Sequence, residues 1–306
     1  MKNILVIGAG FVASPLVKYL LDQPNFKVKV ASLIFKEAKE IVNNHPRGES
    51  KQLDLNDTDA LKEEISKTDI VVSIVPYKFH PKIAEICILY KKPMITTSYV
   101  SEEMRKLDAK ARDAGILILN ELGLDPGIDH MEAMRIIDEV KENGGEVTSF
   151  ISYCGGLPAP EANTNPFGYK FSWSPIGVLL ASKNSARYLK DGKEVIIESE
   201  DLFKNYDVLY IEKLGDFEGY PNRDSIPYID LYKIPETKTM FRGTLRNKGW
   251  CHKMQKIVEL GLLDAEKKDW IGLNYEGFIK KLINNTEEID IKKALSIFLN
   301  VDIDSD

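Results

Sequence analysis

Cysteine and histidine are scarce in this chain of 306 residues, and neither is arranged to do collective work. Cys87, Cys154 and Cys251 have neither the even number nor the spacing of a disulfide or zinc framework, and His45, His80, His130 and His252 stand singly. No metal site is expected, and a reducing cytoplasm is the setting that suits such thiols. Positive charge is not in excess either: a net charge of −6 argues against a general nucleic-acid binder. No apolar run approaches the roughly 20 residues of a membrane span, so no membrane partner is expected. The apolar N-terminal run is broken by Gly8-Ala9-Gly10 and continues as an amphipathic helix, which does not suit a signal peptide. Repeats and low-complexity tracts are missing as well. What is present, 43% hydrophobic and 29% charged residues, is the composition of an ordinary globular protein long enough for two domains.

The first of these opens on a strand, a glycine turn and a helix start. Ile4 to Ile7 is a continuous apolar run, as in a parallel strand buried on both faces, and Gly8-x-Gly10-x-x-Ala13 follows at the dinucleotide spacing. Gly8 allows the tight turn, Gly10 lets the backbone approach a pyrophosphate, and Ala13 brings the helix close to the strand with its N–H groups toward the anion. The helix ends near Asp22-Gln23-Pro24 and a second strand runs from Lys27 to Ala31. There an Asp or Glu would hold the ribose of NAD, but the chain reads Val30-Ala31-Ser32-Leu33. With no carboxylate to repel a 2′-phosphate, with Ser32 able to donate to one and Lys36 nearby, NADP is favoured over NAD. Lys36 can equally be a solvated residue of the next helix.

Strand and helix signals then alternate to about residue 120: a helix near Lys36 to Asn43, a short strand at Gln52-Leu53, a helix from Thr58 to Ser66, and strands at Asp69 to Val75, Pro93 to Thr97 and Ile116 to Leu119, with a helix Glu102 to Ala114 before the last. This is an α/β pattern, a Rossmann-like doubly wound parallel sheet. Residues 1–125 are assigned to it, and residues 126–306 to a second, α+β domain. A helix from Gly127 reaches about Asn143-Gly144-Gly145, beyond which the pattern changes: an antiparallel-like strand Glu146 to Tyr153, a long loop, and a hairpin Ala186 to Ile197 turning at Asp191-Gly192. Helical segments, Lys253 to Leu262 and Tyr275 to Ile283, dominate after Cys251. The acidic stretch from Glu287-Glu288 to Asp306 still contains an amphipathic helix. The loop from Cys154 to Ser172 is too long for a connector, and its aromatics, Phe167, Tyr169 and Phe171, with Trp173 after them, argue that it is ordered.

Five blocks, Ser98-Tyr99, Glu121 to His130, Tyr153 to Pro175, Tyr220 to Ser225 and Arg242-Gly-Thr-Leu-Arg246, together resemble saccharopine reductase, the NADP-dependent, L-glutamate-forming saccharopine dehydrogenases. The resemblance runs over essentially the whole chain, and it implies an oxidoreductase of lysine metabolism that interconverts saccharopine with L-glutamate and aminoadipate semialdehyde. By resemblance, Ser98, Tyr99, Asp125, Arg223, Thr244, Leu245 and Arg246 match substrate-binding positions. Gly8, Gly10, Phe11, Val12, Ser32, Asp54, Leu55, Val75, Leu124, Trp173 and Ser174 match the cofactor side.

The chemistry supports the assignment independently. Saccharopine carries three carboxylates and two amines, which calls for fixed cations, and Arg223, Arg242 and Arg246 are the candidates, two of them beside Gly243 or Asn222 where turns can expose them. Asp125, Tyr99 and Cys154 are the groups able to assist proton transfer; alternatively Asp125 caps a helix, Tyr99 only binds a carboxylate and Cys154 is a packed thiol. Two departures stand out: Leu33 replaces an Arg usual in the family, and the second domain stops at Asp306, short of the family's length. Beside the saccharopine reading stand a related reductase that joins a semialdehyde to a diamine, as in carboxynorspermidine formation, and a truncated, non-catalytic NADP-binding paralogue. A homodimer is the assembly considered.

Overall fold

The computed structural model describes residues 1–264, 266–284 and 289–304. Glu287 and Glu288, with which the acidic C-terminal stretch opens, lie outside the described residues, as does Asp306. The chain forms two compact units, one of residues 1–139 with 172–174, the other of 140–171 with 175–306.

The first unit is built around β1 (Lys2–Ile7). Its side chains alternate between two cores, because successive strand residues point to opposite faces. Ile4 and Val6 pack with Val17 and Leu21 of α1 (Ala13–Asp22) and with Ala38 and Val42 of α2 (Phe35–Val42). Leu5 and Ile7 pack on the other side with Leu61 and Ile65 of α3 (Thr58–Ser66) and with Ile83 and Cys87 of α4 (His80–Leu89). Burial of such side chains contributes roughly 1.5–3 kcal/mol each, which is why the strand reads as an unbroken apolar run. Five parallel neighbours complete the sheet: β2 (Phe26–Ser32), β3 (Gly48–Gln52), β4 (Ile70–Ser73), β5 (Met94–Thr96) and β6 (Ile118–Leu119), in the order β3-β2-β1-β4-β5-β6. That order reverses between β1 and β4, and in such sheets ligands bind beyond the carboxyl ends of the strands at the reversal.

Two local expectations are corrected here. The third strand occupies Gly48–Gln52 rather than Gln52-Leu53; as an edge strand it is polar, and only Leu53, just past its end, is buried. The helix expected over Glu102 to Ala114 is two short ones, α5 (Glu102–Arg105) and α6 (Asp108–Asp113). The break falls where Met104 and Leu107 both turn into the core.

α7 (Ile128–Glu142) leads into the second unit, whose sheet has the order β10-β11-β12-β8-β9 with β7 pairing β12 in parallel. The strands are β7 (Ser149–Cys154), β8 (Ala186–Lys190), β9 (Lys193–Ile197), β10 (Asp207–Ile211), β11 (Gly215–Pro221) and β12 (Thr239–Asn247). The hairpin between β8 and β9 turns at Asp191 and Gly192, φ 50° and 76°, as their sequence predicts. β12 is the spine, bonded to β7, β8 and β11. Two glycines on facing strands make room for one ring: a side chain at Gly219 or Gly243 would lie within 2.6 Å of the Tyr153 ring carbons. α8 (Pro175–Ala181) follows the long loop, and α9 (Pro227–Leu231) precedes β12. α10 (Trp250–Glu259), α11 (Tyr275–Leu282) and α12 (Ile291–Leu299) form the helical part. α10 starts three residues before the expected Lys253 because its cap is supplied from elsewhere in the chain: Glu218 on β11 accepts hydrogen bonds from the N–H groups of Gly249 and Cys251, each at 2.7 Å.

Candidate active site

In the first unit every expected cofactor residue before Leu124 stands at the carboxyl edge of the parallel sheet. Gly8 has φ 115°, donates to the Ala31 carbonyl at 2.9 Å, and lies so close to β4 that a side chain would meet the Ile74 carbonyl oxygen at 2.8 Å. Gly10 is the opposite case, with open space within 4 Å of the position a side chain would take. α1 then begins without a side-chain cap and without an acidic residue in its first turn; the Ala13 N–H bonds the Gly10 carbonyl at 3.0 Å, and no side chain of the N-cap competes with an anion at the helix start. Such a turn can hold a pyrophosphate. Phe11, Val12 and Leu33 are exposed apolar side chains beside it. The Ser32 hydroxyl accepts from the Ile34 N–H at 3.2 Å, and Asp54 accepts from the Asn56 N–H at 2.8 Å. The Leu55 carbonyl accepts from Lys82 at 2.6 Å, and Val75 packs on the core below. Lys36 sits in the first turn of α2, largely exposed and paired with Glu40 at 3.8 Å, the solvated arrangement weighed for it above.

The segments after β5 and β6 are tied into one platform. Glu121 donates from its N–H to the Ser98 carbonyl, Leu122 donates likewise to Thr96, and the Glu121 carboxylate accepts from the Val100 N–H at 2.9 Å. On this platform the Tyr99 hydroxyl donates to the Asp125 carboxylate at 2.6 Å, so two of the expected proton-transfer groups are in direct contact. Ser98 is joined to His80, a residue sequence reasoning left as an isolated histidine. His80 Nε2 lies 2.8 Å from the Ser98 hydroxyl and 3.0 Å from that of Thr96, and Nδ1 lies 3.0 Å from Ser73. Burial pulls the ring down to about 4, so it is neutral near pH 7. Leu124 is exposed on the same loop, and Trp173 and Ser174 belong to the short segment grouped with this unit.

The second unit gathers cations and aromatics along β12. The expectation that a turn exposes Arg242 is corrected: Arg242 lies inside β12, 5% exposed, with its guanidinium 4.2 Å above the Tyr228 ring. Arg246 is likewise in the strand, 8% exposed, stacked over Tyr169 at 4.8 Å and Trp250 at 5.3 Å. Its Nη1 donates to the Leu245 carbonyl at 2.9 Å, its Nε is buried without a hydrogen-bond partner, and among the described residues it forms no ion pair. A buried cation left in that state is costly, and an anionic ligand relieves the cost. Arg223 is the one that does occupy a turn, exposed and with φ 56°. Cys154 ends β7 directly opposite Thr244, and the backbone of Leu245 presses on Gly155, where a side chain would meet its carbonyl at 2.3 Å. Cys154, Thr244, Leu245 and Arg246 are therefore brought together on the β7 and β12 pair. The long loop closes on the same place: Tyr169 is buried against Trp250 at 4.9 Å, and Asn247 donates to the Gly168 carbonyl at 2.6 Å.

Residues 4–119 match the family model of the saccharopine dehydrogenase NADP binding domain, and residues 123–299 that of the saccharopine dehydrogenase C-terminal domain. The chain belongs to the saccharopine dehydrogenase family. The curated saccharopine dehydrogenases [NADP(+), L-glutamate-forming] of Pyricularia oryzae and Saccharomyces cerevisiae are 44% and 45% identical to it over 88% of this chain and 60% of theirs. The mitochondrial alpha-aminoadipic semialdehyde synthase of Rattus norvegicus is 40% identical over 87% of this chain and 29% of that protein. Among solved structures, the apo saccharopine dehydrogenase (L-Glu forming) of Saccharomyces cerevisiae superposes with a TM-score of 0.83 at 40% identity, covering 98% of this chain and 67% of the other. The chain thus spans about 60% of the length of the curated saccharopine dehydrogenases.

Within this saccharopine dehydrogenase fold, His80, Tyr228, Trp250 and Glu218 adjoin the candidate residues although sequence reasoning singles out none of them for that place, and Tyr169, expected only as part of an ordered loop, lies under Arg246. His80 had one local signal, its place just after the strand end Val75-Pro76 on the cofactor edge. The aromatic shelves had none, because each lies on a different element from the arginine it supports.

Proposed function

We propose that this chain interconverts saccharopine, NADP and water with L-glutamate, aminoadipate semialdehyde and NADPH. The observation that carries the reading is Arg246, a buried guanidinium braced by two aromatic rings, its Nε without a hydrogen-bond partner and, among the described residues, in no ion pair. The names of the family relatives support the same substrate. Arg246, with Arg223 in its turn, is assigned to substrate carboxylates, since a planar guanidinium takes a carboxylate in a bidentate grip. Thr244 and Leu245 line the same strand, and Ser98 and Tyr99 are assigned to the substrate as well, Tyr99 through its hydroxyl oxygen because its proton is given to Asp125. NADP is assigned to the Gly8 to Ala13 turn, with Phe11, Val12, Ser32, Asp54, Leu55, Val75, Leu124, Trp173 and Ser174 around it. When bound there, the cofactor supplies hydride chemistry. The residues of the chain have the remaining tasks. The Asp125 carboxylate, already hydrogen-bonded by Tyr99, accepts a proton as the substrate amine loses one and water adds to the oxidised carbon. Cys154, beside Thr244, is the second group assigned to those proton transfers.

A cytoplasmic location and a homodimer belong to the same proposal. The buried thiols Cys87 and Cys251 support the first, burial having pushed Cys87 up to about 12. The exposed apolar side chains Ile151, Val208 and Tyr210 on the second sheet support the second. Among the described residues no helix is long and apolar enough to cross a membrane, and the acidic balance supports a small-molecule rather than a nucleic-acid ligand.

The test is the rate of reduced-nicotinamide formation when saccharopine is added to the purified chain with NADP or with NAD, with glutamate quantified as product. Saccharopine-dependent reduction, faster with NADP, is expected. Folded protein that binds NADPH and yet shows no saccharopine-dependent reduction overturns the reading, and reverse turnover with a diamine in place of glutamate redirects it to the carboxynorspermidine type.

A further inference from the structure

His80 is buried to 2% exposure between three hydroxyl groups contributed by two strand ends: Ser73 on β4, Thr96 on β5 and Ser98 just beyond it. A histidine that merely fills a core needs one partner at each ring nitrogen. Here Nδ1 has one hydroxyl, Ser73 at 3.0 Å, but Nε2 faces two, Ser98 at 2.8 Å and Thr96 at 3.0 Å. A neutral imidazole carries one proton and one lone pair, so its tautomer decides what those hydroxyls do.

If the proton sits on Nδ1, both hydroxyls on the other side compete for a single lone pair, and the Ser98 proton is directed into the protein. If it sits on Nε2, Ser73 donates to Nδ1, the ring donates to Ser98 Oγ, and the Ser98 proton is released outward. The Thr96 hydroxyl oxygen also accepts from the Ser98 N–H at 3.3 Å, which holds the Ser98 backbone while the ring holds its side chain. Ser98 is only half-buried, so its hydroxyl is partly open to a ligand. A chain of hydroxyl, imidazole and hydroxyl in one direction strengthens the terminal donor.

We propose that His80 is a positioning residue for the substrate site: held as the Nε2–H tautomer by Ser73, it donates to Ser98 and commits that hydroxyl to donate to an anionic oxygen of the substrate. This rests on the reading of Ser98 as a substrate-binding residue. His80 itself touches no reacting atom.

The first test needs no turnover. Nitrogen-15 spectra of the imidazoles at neutral pH, with the His80 signals assigned by their loss in His80→Gln, are expected to show Nε2 protonated and Nδ1 bare. A ring protonated on Nδ1 overturns the proposal. The second test uses kinetics: a glutamine amide reaches the place of Nε2 and keeps the donor to Ser98, whereas an asparagine reaches only the place of Nδ1. His80→Asn is expected to raise the KM for saccharopine about tenfold and His80→Gln to hold it within about threefold, with the KM for NADP and kcat little changed in either. Equal losses in the two variants, or a parallel rise in the KM for NADP, overturn it. If the unaltered chain turns over no saccharopine, that failure belongs to the reaction assigned above, and the tautomer still decides the role of His80.

Discussion

The two candidate sites are built by opposite means. The first uses backbone: a positive-φ glycine, an uncapped helix start and an open space at Gly10, with the neighbouring core packed to exclusion on both faces of β1. The second uses side chains, with Arg242 laid on Tyr228 and Arg246 on Tyr169 and Trp250, each cation held by rings from elements distant in sequence. A backbone site recognises what all dinucleotides share, whereas a side-chain site can be matched to the charges of one substrate. The difference also predicts where the molecule tolerates change: the cradle fails when a methyl is added, the arginine shelf when a charge or a ring is removed.

The sharpest break is expected at Arg246. Arg246→Ala removes the buried cation and should cost about 3–4 kcal/mol of saccharopine recognition, a fall in kcat/KM on the order of a hundredfold to a thousandfold, while the KM for NADP stays put. Arg246→Lys keeps the charge but not the planar stack and should recover only part of this; steady-state kinetics with each substrate varied separates the two.

His80 should come next, and its effect is on stability. Burial holds the folded ring at about 4 against the 6.5 of an exposed imidazole, so as pH falls the unfolded chain takes up the proton first. The contribution is complete above the unfolded value and declines as pH drops through this window, by at most about 3 kcal/mol. Thermal denaturation across the window should show a steeper loss for the natural chain than for His80→Gln; parallel slopes would show that the ring does not carry the effect.

Gly10→Ala probes the cradle without touching the fold. A methyl there meets no protein atom, so the melting temperature should stay unchanged while NADPH affinity, measured by calorimetric titration, weakens about tenfold or more. The smallest effect is expected from Leu33→Arg. Leu33 is 62% exposed beside the Ser32 turn, and a guanidinium in its place should favour NADPH over NADH by roughly threefold to tenfold in the same titration.

The legibility of the two units follows the same divide. α3 lies at Thr58–Ser66 as its sequence predicts, because Asp57 caps it locally by accepting from the Ala60 N–H at 3.0 Å. α10 does not start where its own sequence suggests, because its cap is Glu218, thirty-odd residues earlier on β11. The glycine turn after β1 could be placed from spacing, since a turn and the helix that follows it are contiguous. Arg242 could be named as a candidate cation but not oriented; a neighbouring glycine suggested a turn, when Gly243 in fact clears room within β12 for the ring of Tyr153.

Sequence by itself therefore determined the parallel sheet, the cofactor turn and the residues that resemble the family, because each rests on local periodicity or short contiguous spacing. Tertiary structure alone decided which arginines are buried, which rings support them, and that His80 joins Ser73, Thr96 and Ser98. These depend on strands and helices far apart in the chain meeting at one place, and no local pattern records where separate elements will meet.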